Sequence, residues 1–158
     1  MNTSPDLIGT AQCLCLASRR AARAITRAFD RELRAHGLRA TQFTLLATLS
    51  LKGEQTISEL AEFIDADRTT MTRNVALAEE KGLVEARRHG SDARVRVVTI
   101  TQQGREALAA ALASWSKVQA GLTEAMGSDA ADALRRLAGS AMAKPPAKAD
   151  KHRLEVER

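Results

Sequence analysis

The side chains best suited to specific chemistry lie between Asp67 and Asn74: Arg68 and Arg73, then Thr69, Thr70 and Thr72, and Asn74. Their chemistry is recognition rather than bond-making. All six can donate to phosphate oxygens, and arginine and asparagine can also bond to guanine and adenine edges in a major groove. A helix N-terminus at this point adds free backbone N–H groups suited to phosphate. An unspecialised solvent face carries Glu and Lys instead, which form helix better than β-branched Thr. Three threonines in four positions weaken the helix with no structural return visible in the sequence. A second cluster follows between Arg87 and Arg96, where Arg87, Arg88, Arg94 and Arg96 stand against the single acid Asp92. Such a tip suits a narrow groove or flanking phosphates.

The elements that must position these clusters can be read from local signals. Thr56 and Glu59 form a capping box that predicts a helix starting at Ile57, with Ile57, Leu60, Ala61 and Ile64 on its buried face. Asp65 and Ala66 make a short turn. Asp67 then caps a second helix whose Met71, Val75 and Ala78 point inward, leaving the polar cluster outside. Two short helices so joined are a helix-turn-helix. Gly82 is available for the left-handed position that ends the second helix. Residues 83–89 read as a strand, 90–93 as a turn and 94–100 as a second strand, which together make a β-hairpin wing.

The flanks read as long helices. Ser4 and Pro5 suit a helix start, and an Ala- and Arg-rich segment runs from about Asp6 to His36, with Gly9 a possible interruption. Leu14, Ala17, Ala21, Ala24 and Ala28 lie beside a strip of Ile25, Phe29 and Leu33, an apolar surface wide enough for more than one neighbour. Opposite them, Arg19, Arg20, Arg23, Arg27, Arg31 and Arg34 read as a solvated face. Gly37 ends this helix. Thr41 is expected to cap the next, with Phe43, Leu46 and Leu49 to Ser50 facing the core and Gly53 closing it. After the wing, Thr101 caps a helix from Gln102 to about Met126, with a near-heptad seam of Leu108, Leu112, Trp115, Gln119, Leu122 and Met126. A last helix runs from Asp129 to Met142. The expected organisation is an N-terminal dimerisation helix (1–36), a DNA-binding lobe (37–100), C-terminal dimerisation helices (101–142) and a charged, proline-broken mobile tail (143–158).

Composition narrows the classes. The 158 residues carry a net charge of +5 and a pI near 9.8, which suits a polyanionic partner without fixing a target. Aromatic residues make up only 3% of the chain, too few for a base-stacking surface, so duplex DNA fits better than single strands. No apolar run approaches a membrane span and the first residues lack a signal-peptide pattern, so no membrane partner and a cytoplasmic location are expected. Cys13 and Cys15, two apart on the first helix, would point away from each other. An intact helix thus excludes a bond between them, and they read as small buried residues, with a thiol sensor or an intersubunit bridge as the alternatives. His36, His89 and His152 lie far apart at no metal-ligand spacing, and there is no phosphate loop, nucleophile elbow or paired-carboxylate pattern. No enzyme activity, metal or cofactor is expected.

Residues 41–43 with Leu45 and Leu46, then 57–61, 69–74, 79–84, 92–94 and 99–104, taken in order, resemble the multiple-antibiotic-resistance regulator (MarR) family of winged-helix repressors. The resemblance covers roughly residues 10 to 142, and Ala78 stands where the family often has Leu. It implies a mainly α fold with a small antiparallel β-hairpin, namely a winged helix-turn-helix with long N- and C-terminal dimerisation helices. It also implies a homodimer on a pseudo-palindromic operator in double-stranded DNA, usually acting as a repressor. Arg94 is then expected in the minor groove, with Asp92 orienting an arginine of the recognition region. A small aromatic acid or phenol is the implied effector, in a crevice lined by parts of 13–33, 41–49 and 108–119. It would act only by binding one half-site spacing better than another. Two other readings remain: a thiol-redox regulator using Cys13 and Cys15, and a winged-helix protein-interaction module.

Overall fold

A computed structural model describes residues 13–89 and 92–139 of the chain, except for the side chains of His89 and of residues 92–94. In order, the elements are α1 (Leu14–Leu33), a 3-10 turn (Arg34–His36), α2 (Ala40–Lys52), β1 (Gln55–Thr56), α3 (Ile57–Ile64), α4 (Arg68–Glu80), β2 (Val84–His89), β3 (Asp92–Ile100), α5 (Gln102–Met126) and α6 (Ser128–Gly139). The expected start at Ser4, the interruption at Gly9, the end of the last helix at Met142 and the tail all lie outside the described residues. The chain divides into two compact units, one ending at Gln119 and one beginning at Ala120.

In the first unit, α2, α3 and α4 close around Leu38, Leu45, Leu46, Leu49, Leu60, Met71 and Val75, none more than 2% exposed. Val98 and the start of α5 complete this core: Leu108 and Ala111 are buried, and Trp115 stacks on Phe43 with ring centroids 5.8 Å apart. The buried stripe of α5 runs through Gly104, Leu108, Ala111 and Val118. Of the expected seam, Leu108 lies on this stripe and Trp115 packs against the core, while Leu112 is 48% exposed on the single chain. Gly104 permits the approach, because a Cβ there would lie 2.1 Å from the Leu83 carbonyl oxygen. Thr101 closes the corner, donating from Oγ1 to Gly82 O at 2.6 Å and accepting from Gly104 N at 3.0 Å.

Several expectations about helix ends change. Thr41 does not cap α2. Arg39 is the N-cap, the Asp30 carboxylate on α1 accepts from Ala40 N at 2.7 Å, and Gln42 Oε1 accepts from Arg39 N at 3.1 Å. Because the acceptor for Ala40 N comes from a residue ten positions upstream, no adjacent pattern announces it. Ser50 is exposed rather than core-facing, while Leu45 is buried. The sheet has three strands rather than two, in the order β1-β3-β2, with Gln55 opposite Val98 and Thr56 opposite Val97. Strand β3 begins at Asp92, two residues earlier than expected, and the register shifts between Arg88 and His89.

Candidate nucleic-acid interface

Helix α4 is held by caps at both ends. Asp67 accepts from Thr70 N at 2.8 Å and from Thr70 Oγ1 at 2.6 Å. These bonds, the side-chain one first, hold the Asp67 carboxyl below its ordinary value of 3.8 and keep it charged at the helix N-terminus. Before it, Asp65 adopts a left-handed backbone (φ 56°) that turns the chain out of α3, a conformation that aspartate tolerates better than bulkier residues. At the other end Gly82 has φ 68°, and Leu83 N donates to Ala78 O, as a left-handed cap requires. Lys81 then reaches across to Gly37 O at 2.8 Å and to Gln42 Oε1 at 3.2 Å, which ties the end of α4 to the start of α2.

With Met71, Val75 and Ala78 buried, α4 turns Arg68, Thr69, Thr70, Thr72 and Arg73 to solvent, while Asn74 is half-buried. The expected recognition face is therefore one surface, but two of its threonines also serve locally. Thr70 completes the cap, and Thr72 Oγ1 donates to Arg68 O at 2.8 Å. The threonine run thus has a structural return that the sequence did not disclose. Leu77, next to the family departure at Ala78, is 53% exposed, whereas Ala78 itself is fully buried.

The wing arginines separate into two kinds. Arg87 Nη2 donates to Glu54 Oε2 at 2.5 Å, and Arg96 Nη2 donates to Glu79 Oε2 at 3.1 Å and to Ala86 O at 3.2 Å. Both belong to the cluster expected to meet DNA, and in this chain each also holds a carboxylate. Arg88, opposite Arg96 on the neighbouring strand, is exposed. The side chains of Asp92 and Arg94, and the turn at Gly90 and Ser91, lie outside the described residues. Sequence reasoning missed Glu54 and Glu79, whose partners lie 33 and 17 residues away.

The remaining chemistry is structural. His36 Nε2 lies 2.9 Å from Ser114 Oγ, joining the turn after α1 to α5. Among the described residues, no group of three or more His, Cys, Asp or Glu could hold a metal ion, and no helix is long and apolar enough to cross a membrane. Cys13 and Cys15 are exposed on this chain rather than buried, and Cys13 precedes the first helical residue, so the expected intact helix does not span both.

A sequence model of the MarR family matches residues 36–95. An uncharacterised helix-turn-helix transcriptional regulator of Bacillus subtilis (strain 168), YwoH, is 32% identical over 82 residues, 52% of this chain and 59% of its own length. Another from that organism, YdgJ, is 34% identical over 44% of this chain and 43% of its own length. The chain thus spans about half the length of the curated relatives it matches. Solved structures extend the likeness. The M. tuberculosis transcriptional regulator MosR in complex with DNA is 42% identical, with a TM-score of 0.71 over 79% of this chain and 92% of that one. The transcriptional repressor CouR, bound to a 23-mer DNA duplex, is 25% identical, with a TM-score of 0.71 over 86% and 96%. The MarR family model over residues 36–95, joined to 42% identity across nearly all of a solved transcriptional regulator and to a three-stranded antiparallel sheet with a capped helix-turn-helix, places the chain in the MarR family of winged-helix transcriptional regulators, not among enzymes.

Proposed function

We propose that the chain acts as a homodimer that binds a pseudo-palindromic operator in duplex DNA, as a repressor released by a small aromatic or phenolic ligand. The observation that carries this reading is the outward face of α4, where Arg68, Thr69, Thr72 and Arg73 stand together at a helix N-terminus, with Arg88 exposed on the wing. Solution of MosR in complex with DNA and of CouR, a named repressor, on a duplex supports the partner. The dimer is supported by apolar surface that the single chain leaves uncovered: Leu14 is 85% exposed on α1, Leu112 48% on α5 and Leu134 46% on α6. A two-fold axis would set two α4 helices at half-sites about one turn of DNA apart. The effector rests on the family resemblance alone. Replacing Arg73 with Ala tests the reading of α4. If it reads a base, roughly 1–3 kcal/mol of affinity is lost and the sequence preference relaxes; if it holds phosphate, the loss is uniform with a shallower salt slope. Unchanged binding would remove α4 from the interface.

A thiol-redox signal is a second reading, favoured by the exposure of Cys13 and Cys15 at the start of α1. Replacing both with Ser is expected to abolish oxidant-induced release from DNA. Release that persists in the double variant eliminates this reading.

A further inference from the structure

Strand β2 lies at the edge of the sheet, where alternate residues turn their N–H and C=O groups away from the ladder. At Ala86 both of these groups are occupied. Glu79 Oε1 accepts from Ala86 N at 3.1 Å, Arg96 Nη2 donates to Ala86 O at 3.2 Å, and the same Nη2 donates to Glu79 Oε2 at 3.1 Å. The result is a closed ring of three bonds that joins the last turn of α4 to both strands of the wing.

Glu79 is unfavourably placed for any other purpose. A carboxylate in the last turn of a helix opposes the helix dipole, and one beside a proposed DNA surface repels the polyanion. Arg96 directly faces Arg88 across the strands, a like-charge pair that is destabilising unless one member is neutralised. Glu79 supplies that neutralisation. It stands six residues beyond Arg73, about 9 Å along the helix axis, and so links the reading face to the wing through one rigid element.

From this ring we infer that Glu79 and Arg96 are positioning residues: they fix the wing at one angle to α4 so that both can meet the same duplex, and Arg96 itself holds no phosphate. The inference rests on the DNA-binding reading above and adds a sign to it. If only charge mattered, Glu79→Gln would remove a repulsive anion and tighten binding to every duplex. If the ring positions the wing, Glu79→Gln weakens binding to the preferred site.

The test uses the full chain and a duplex enriched by the wild-type protein from a random-sequence library, beside a scrambled duplex of equal length. Glu79→Gln and Arg96→Met are each expected to lose roughly tenfold on the enriched duplex, a size typical of residues coupled in one network. Together they should lose little more than either alone. Neither should weaken binding to the scrambled duplex, and on that duplex, where the wing angle does not decide binding, the Arg96→Met salt slope should match the wild type, because Arg96 itself holds no phosphate. Thermal unfolding of each variant, with hydrogen exchange at the Ala86 amide, separates a mispositioned wing from a general loss of fold. Faster exchange at Ala86 with a wild-type melting temperature is the expected pair. Tighter binding by Glu79→Gln, additive losses, or a shallower slope for Arg96→Met on the scrambled duplex would overturn the inference. Failure of the wild-type chain to enrich any duplex would sink the underlying DNA reading, and would be seen before any variant was made.

Discussion

At the scale of single residues, two positions carry consequences that local contacts fix. Gly104 sits where a Cβ would meet backbone, at 2.1 Å from Leu83 O, and backbone cannot swing aside as a flexible side chain can. Gly104→Ala should therefore force the first turn of α5 off the wing and cost about 1–3 kcal/mol in urea unfolding, as overpacking does elsewhere. A neutral result would mean that the corner between β3 and α5 is softer than its bonds imply. Asp67 gives a pH signature. Its carboxyl is depressed because Thr70 bonds to the charged form, so its stabilising effect is complete above the ordinary 3.8 and is lost as pH falls through its lower folded value. Asp67→Asn keeps a capping side chain but does not titrate. The difference in melting temperature between the two proteins should stay flat above the ordinary value and shift against the wild type below it. A difference that does not vary with pH would contradict the assigned cap.

At the scale of elements, the recognition helix depends on the helix before it. Thr56 ends β1 and caps α3, accepting from Glu59 N at 3.2 Å while Glu59 Oε2 accepts from Thr56 N at 2.7 Å. Thr56→Ala is expected to cost about 1 kcal/mol by chemical denaturation. Caps of this kind were legible in the sequence because both partners lie within one turn: Thr56, Asp67, Gly82 and Thr101 were all read correctly. What was missed is non-local. Asp30 takes over the cap expected of Thr41, β1 is two residues long and has no period to detect, and Glu54 and Glu79 pair with two arginines of the expected wing cluster. On the single chain the cysteines are exposed rather than buried, since burial depends on neighbours that spacing cannot reveal. The wing can be tested as an element. Arg88→Ala should make the salt slope of DNA binding shallower by roughly 0.9, the value for one lost phosphate contact, whereas Arg87→Ala, already paired with Glu54, should leave it unchanged. Equal effects at both positions would erase the distinction between them.

At the scale of the whole molecule, the net charge of +5 would draw the protein to any duplex, so specificity must come from geometry rather than charge. The proposed geometry is two-fold, and the uncovered leucines of α1, α5 and α6 are its material. On an isolated chain Leu14→Glu would be nearly neutral, within about 0.5 kcal/mol, because the side chain is already exposed. In a dimer that buries it, the wild-type melting temperature should rise with concentration and the same change should lower it. The central claim is tested most directly by titrating the purified protein against its enriched duplex in a gel shift, with excess scrambled competitor and a salt series, while counting the chains bound. The account predicts competitor-resistant binding of two chains to a two-fold symmetric site. Binding that scrambled duplex displaces, or one chain on an asymmetric site, would contradict it.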